Sequence, residues 1–222
     1  MSVSRTGSKP YSSSGHDLPD CPAGLEHISR YWDKRHRTFA AKLLPGEYYV
    51  SIHNELICTV LGSCISACIR DVRTGVGGMN HFMLPLGCEE IHSGKEHLTS
   101  ATRYGNFAME MLINGILKHG GNRKNMEVKI FGGGKVLASM SGMDIGLNNI
   151  EFVHDYLRQE NMRIVAEDVG DIHPRKVLYF PETGRVRVKK LINVHNSTIS
   201  DREKMYRDTI ERKSEKTDIE LF

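Results

Sequence analysis

At 222 residues with 39% hydrophobic side chains, the chain can enclose one core of ordinary size but not two. Its 30 basic and 27 acidic residues leave a net charge of +3, spread along the chain, which gives no basis for a nucleic-acid partner. No apolar run reaches the roughly 18–20 residues of a membrane span, and the opening MSVSRTGSKPYSSSGHD lacks the apolar centre of a signal peptide. The expectation is therefore a cytoplasmic protein with no membrane insertion.

Residues 1–38 are rich in Ser, Gly, Arg and His and poor in aliphatics, so a mobile N-terminal extension is expected there. Within it, GLEHISRYWDKRHRTF carries the single tryptophan, Trp32, and reads as a short helix docked on the domain. The domain itself is expected over 39–192. AAKLL, PGEYYVSI and ELICTVL read as strands separated by Pro45-Gly46 and His53-Asn54. ISACIR follows with period two, so Cys64, Ser66 and Cys68 fall on one face and Ile65, Ala67 and Ile69 on the other. After a turn over Asp71–Gly75 comes VGGMNHFML. Neighbouring strands joined by a short turn pair antiparallel, which carries Cys64 toward His81.

Leu86–Thr99 reads as a polar loop. Helical spacing of Tyr104, Phe107, Ala108, Met111, Leu112 and Ile116 predicts a helix over Thr102–His119, capped at Thr99 or Ser100 and ended by Gly120-Gly121. NMEVKIFGGG predicts a strand running into three glycines. A second helix is expected over Asn148–Glu160, with Ile150, Val153 and Leu157 on one face. MRIVAEDVGD is a further strand, and RKVLYF and RVRVKKL flank a hairpin turn at Pro181–Gly184. Residues 193–222 form a charged tail, read as a solvated helix that ends in the acidic and apolar DIELF. Two helices with single apolar stripes, interleaved with strands, make a mixed α/β layered domain.

The chemistry concentrates in Cys58–Pro85. Cys64 follows Leu61-Gly62-Ser63, where glycine permits a tight turn and small residues leave the sulfur approachable. A thiol attacks as thiolate, so it needs a base, and His81 after Gly77-Gly78 is the candidate. The backbone N–H groups of Gly62, Ser63 and Cys64 could hold an oxyanion. The residues alone favour a buried cysteine and a structural histidine over a catalytic pair. The five cysteines, at 21, 58, 64, 68 and 88, are odd in number and fit no disulfide framework, which reads as free thiols. A metal set drawn from Cys58, Cys64, Cys68, His81 and Cys88 lacks the C-x2-C knuckle. Gly132-Gly133-Gly134-Lys135 is no phosphate loop, because the second half of that motif is missing. It reads as backbone packed tightly or lining the cleft.

Several of these segments together resemble one family. LGSC at 61–64, GGMNHFMLP at 77–85, RYGNFAMEMLI at 103–113, KIFGGG at 129–134 and DIGLNNIEFV at 144–153 are similar, in order, to CheD. That family comprises the chemoreceptor glutamine deamidases of bacterial chemotaxis. The resemblance implies a three-layer α/β sandwich with mixed and antiparallel sheets and two main helices, related to bacterial deamidase toxins. It implies a protein-glutamine glutaminase with Cys64 as nucleophile, His81 as base and a threonine shortly before the cysteine as third member. Thr59 is the match, with Cys58 beside it. It implies no metal and no organic cofactor, a receptor cytoplasmic coiled coil as substrate, and a CheC-type phosphatase as partner. Two other classes compete: a non-catalytic adaptor that binds receptor or phosphatase, and a thiol hydrolase of another kind, such as a protease.

Overall fold

The computed structural model describes residues 17–85, 100–136, 144–192 and 197–217. Its strands are β1 (Ser29–Asp33), β2 (Thr38–Lys42), β3 (Tyr48–Ser51), β4 (Leu56–Leu61), β5 (Ile65–Asp71), β6 (Gly77–Asn80), β7 (Met126–Gly132), β8 (Ile164–Val169), β9 (Arg175–Phe180) and β10 (Arg185–Lys190). The helices are α1 (Ser100–Lys118), α2 (Ile145–Gln159) and α3 (Ser197–Thr217). The strands form two five-stranded sheets, in the orders β1-β2-β4-β9-β10 and β3-β6-β5-β7-β8. β2/β4 and β7/β8 are parallel pairs and the others are antiparallel.

Period two in β5 organises the layers. Ile65, Ala67 and Ile69 face α1 and α2, packing with Leu112, Ile113, Ile116, Phe152, Val153 and Leu157. Cys64 and Cys68 face the other sheet, in a core with Tyr49, Ile57, Leu61, Met79, Val177 and Tyr179. Helices, sheet and second sheet are thus stacked in three layers, the α/β sandwich expected from the resemblance. The buried residues fall in two clusters, one on each face of the middle sheet, where a single core was expected, and together they give the sandwich its cohesion, since apolar area removed from water is the main favourable contribution to folding.

Three elements differ from the sequence expectation. The helix expected around Trp32 is instead the hairpin of β1 and β2, with Trp32 opposite Phe39 and their rings edge to face at 5.0 Å. Cross-strand aromatic pairing favours the strand here, and Asp33 Oδ1 closes the turn by accepting from the His36 amide at 2.9 Å. The layered structure therefore starts ahead of residue 39, and the buried Leu25 and Ile28 belong to the inter-sheet core. α2 begins at Ile145, earlier than Asn148, because Asp144 caps it by accepting from the Leu147 amide at 3.1 Å. The third difference is α3. It is helical, as expected, but one face is not solvated: Glu203 and Ile210 are buried. The loop expected over Leu86–Thr99, with Cys88, and the DIELF tip lie outside the described residues.

Candidate active site

The site grows from the turn Gly62-Ser63 between β4 and β5. Every carbonyl from Gly62 to Cys64 is held from one side. The Gly134 amide donates to the Gly62 carbonyl at 2.7 Å and the Gly133 amide to the Cys64 carbonyl at 2.8 Å. Asn149 Nδ2, reaching from α2, donates to the Ser63 carbonyl at 2.8 Å. The triglycine is thus a clamp. Gly132 has φ +113°, and a Cβ there would stand 2.2 Å from the Cys64 carbonyl oxygen, so no side chain fits. Asn149 also accepts the Leu84 amide at 2.8 Å and so ties this turn to the strand end that follows His81.

The amides of the same turn all meet one group, the Glu203 carboxylate of α3. Oε1 accepts from the Gly62 amide at 2.8 Å and the Cys64 amide at 3.3 Å. Oε2 accepts from the Ser63 amide at 2.9 Å and the Ser63 hydroxyl at 2.7 Å. Gly62 is the floor of this nest: a Cβ on it would lie 2.8 Å from both carboxylate oxygens. Converging amides of this kind bind negative charge.

A two-way backbone bridge between Ile65 and Phe82, at 2.9 and 3.0 Å, brings the residues before them, Cys64 and His81, side by side. The His81 backbone is fixed on both sides, donating to the Glu47 carbonyl at 2.9 Å and accepting from the Gly46 amide at 2.7 Å. Its ring Nδ1 lies 2.7 Å from Thr59 Oγ1, and that hydroxyl donates to the Leu43 carbonyl at 2.9 Å. A hydroxyl has one hydrogen, so Thr59 accepts from His81, and Nδ1 carries the proton. Nε2 is left with a free lone pair, and it is buried with no hydrogen-bond partner among the described residues. A ring nitrogen of His81, Cys64 Sγ and a Glu203 oxygen all lie within 4.8 Å of one another.

Burial, and next the nearby Arg202 cation, hold the His81 imidazole neutral, with its pKa pushed down to about 3. Burial pushes the Cys64 thiol well up, and the Glu203 charge and its hydrogen bond push it further. With α3 in place the pair is a thiol and a neutral imidazole.

The structure thus brings together Cys64, His81 and Thr59. It sets Cys58 apart, on the opposite face of β4, where its sulfur lies 3.6 Å from the Tyr31 hydroxyl. Cys68 lies in the inter-sheet core, its thiol pushed up by burial. Cys64, His81 and Glu203 are donor types that a metal ion also takes. Both carboxylate oxygens are nevertheless turned to N–H and O–H donors, an environment built for an anion. The expectation had missed two residues. Asn149 had a signal, since it sits four before Val153, on the buried stripe of α2. Glu203 had none, being one acid in a long charged run.

A buried cysteine, an oriented neutral imidazole and a turn of converging amides on an α/β sandwich are parts that thiol hydrolase chemistry can use. Comparison with known proteins narrows this. The family model described as CheD chemotactic sensory transduction matches residues 83–190. A relative from Halorhodospira halophila, named a probable chemoreceptor glutamine deamidase CheD, is 53% identical over 209 residues, 94% of this chain and 96% of its own. Relatives of the same name from Janthinobacterium sp. (strain Marseille) and Methylobacillus flagellatus are 52% and 51% identical, covering 89% and 86% of this chain and 97% and 94% of their own. The chain belongs to the CheD family. None of its described helices is long and apolar enough to cross a membrane.

Proposed function

We propose that the protein is a cytoplasmic amidohydrolase that converts glutamine side chains of chemoreceptors to glutamate, with Cys64 as nucleophile. The observation that carries this reading is the anion nest of Gly62, Ser63 and Cys64 amides beside the free Nε2 of His81. The relatives' shared name, chemoreceptor glutamine deamidase, supplies the substrate class.

The proposed steps use these groups in turn. His81 Nε2 takes the thiol proton as sulfur attacks the carboxamide carbon, and the carbonyl oxygen becomes an oxyanion held by the turn amides. His81 then gives that proton to the leaving nitrogen, ammonia departs, and a thioester remains. Water, deprotonated by the same imidazole, cleaves the thioester and restores the thiol. Thr59 holds Nδ1–H through both steps and so keeps the lone pair on the reacting side. In this reading the unit from β1 to β10 carries the chemistry, and the substrate is a receptor cytoplasmic coiled coil. A CheC-type phosphatase as second partner rests on the family resemblance alone.

The test is the mass of a receptor cytoplasmic fragment after incubation with the protein. Exchange of NH2 for OH on intact fragment supports the reading. An unchanged mass favours an adaptor, and cleavage favours a protease.

A further inference from the structure

α3 is a poor packing helix. Its buried stripe is Ile199, Glu203, Tyr206 and Ile210, with the first and third only half-buried, and apart from half-buried Ser200 the residues between are exposed or charged. A helix docked for cohesion places an apolar residue at the centre of such a stripe. This one places a carboxylate there, which is costly to bury unless donors are already waiting. The donors are waiting, because the nest at Gly62–Cys64 serves the reaction.

Glutamate is the product of that reaction. Glu203 reaches the nest from a helix, as a glutamine on a helical substrate would, and its carboxylate takes every inward-facing amide of the turn. The neighbouring thiol and neutral imidazole are the states that both groups hold once the product has formed. Tyr206, one turn on, meets the Tyr104 hydroxyl and lies over Gly46, where a Cβ would be 2.8 Å from its hydroxyl.

We propose that α3 is an intramolecular product mimic: Glu203 occupies the place of the glutamate that the reaction leaves, and the helix must vacate the cleft before a receptor glutamine enters. This rests on the deamidase reading above. Inhibition in cis is independent of protein concentration and is relieved by whatever draws α3 away, so the cleft is a helix-binding site with its own stopper attached.

Two full-length variants test it, Glu203→Ala at the nest and Ile210→Ser, which weakens the docking two turns away. Alkylation of Cys64 by iodoacetamide, followed on the Cys64 peptide by mass spectrometry, reads access directly. Charge-assisted hydrogen bonds are strong enough that their loss should speed alkylation roughly tenfold or more. Equal rates in wild type and both folded variants overturn the proposal. The same proteins are then given the receptor fragment, and the variants should deamidate it faster than wild type. Fast alkylation with no deamidation by any of the three keeps the gate and rejects the deamidase reading. Deamidation by wild type at the variants' rate rejects the gate and keeps the enzyme.

Discussion

Among the described residues two glutamates are buried, to 1% and 2% exposure, and they do different things. Glu55 precedes β4 and meets a cation: Oε1 accepts from Arg30 Nε at 2.9 Å and Nη2 at 2.7 Å, and Oε2 from the Tyr49 hydroxyl at 2.6 Å. Arg30 comes from β1, so this pair fastens the edge hairpin to the sandwich. Glu203 is met by the amides of one turn, beside a thiol and an imidazole. The first carboxylate is part of the scaffold. The second is held by the backbone of one turn, as a bound anion would be. Burial alone does not separate the two, but the chemistry of their donors does.

The largest expected effect removes the chemistry and leaves both carboxylates anchored. Cys64→Ala should abolish the mass change in a receptor fragment while unfolding cooperatively at the wild-type midpoint; retained activity would reject Cys64 as nucleophile. The contrast in stability comes next. Glu55→Ala strands a buried guanidinium and should cost about 3–5 kcal/mol in urea unfolding. Glu203→Ala frees donors that regain water once α3 lifts off, and should cost about 1–2 kcal/mol in the same measurement. Similar losses for both would mean that Glu203, like Glu55, is scaffold.

Thr59→Ala should lower the deamidation rate roughly tenfold to a hundredfold, because a hydrogen bond to a group that becomes charged contributes about 1.5–3 kcal/mol. Its pH–rate profile should shift as well, which a merely structural threonine would not cause. Cys58→Ala, on the far face of β4, should leave the rate unchanged; a loss there would transfer the third role to Cys58.

A separate effect concerns acid. Buried His81 has its pKa lowered from 6.5 to about 3, so below pH 6.5 the unfolded chain takes a proton that the folded chain refuses. His81 therefore contributes stability that is present above pH 6.5 and is lost as pH falls toward 3, at ~1.4 kcal/mol per unit. A His81→Gln variant should show a shallower fall over that window in urea midpoints.

Most of the layered fold was readable because period two in β5 and helical spacing in α1 and α2 each mark one buried face. The Gly62–Cys64 amides were raised from the sequence as a possible anion holder, and they are turned together toward one carboxylate. The β1–β2 hairpin was not, since its polar residues mask a cross-strand aromatic pair and a buried Arg30 whose partner lies well downstream. Glu203 was hidden for a related reason. Its contact joins residues 62 and 203, and neither composition nor period in a charged run distinguishes the one acid that docks.

One variant puts the account to its most direct test. In full-length Glu203→Gln the docked helix offers Cys64 a glutamine in the position now held by glutamate. After incubation, peptide mapping should find residue 203 converted to glutamate, or held as a thioester to Cys64 with ammonia lost. The same position should remain glutamine when Cys64 is alanine. A folded Glu203→Gln protein in which glutamine 203 persists, with Cys64 intact, would contradict it.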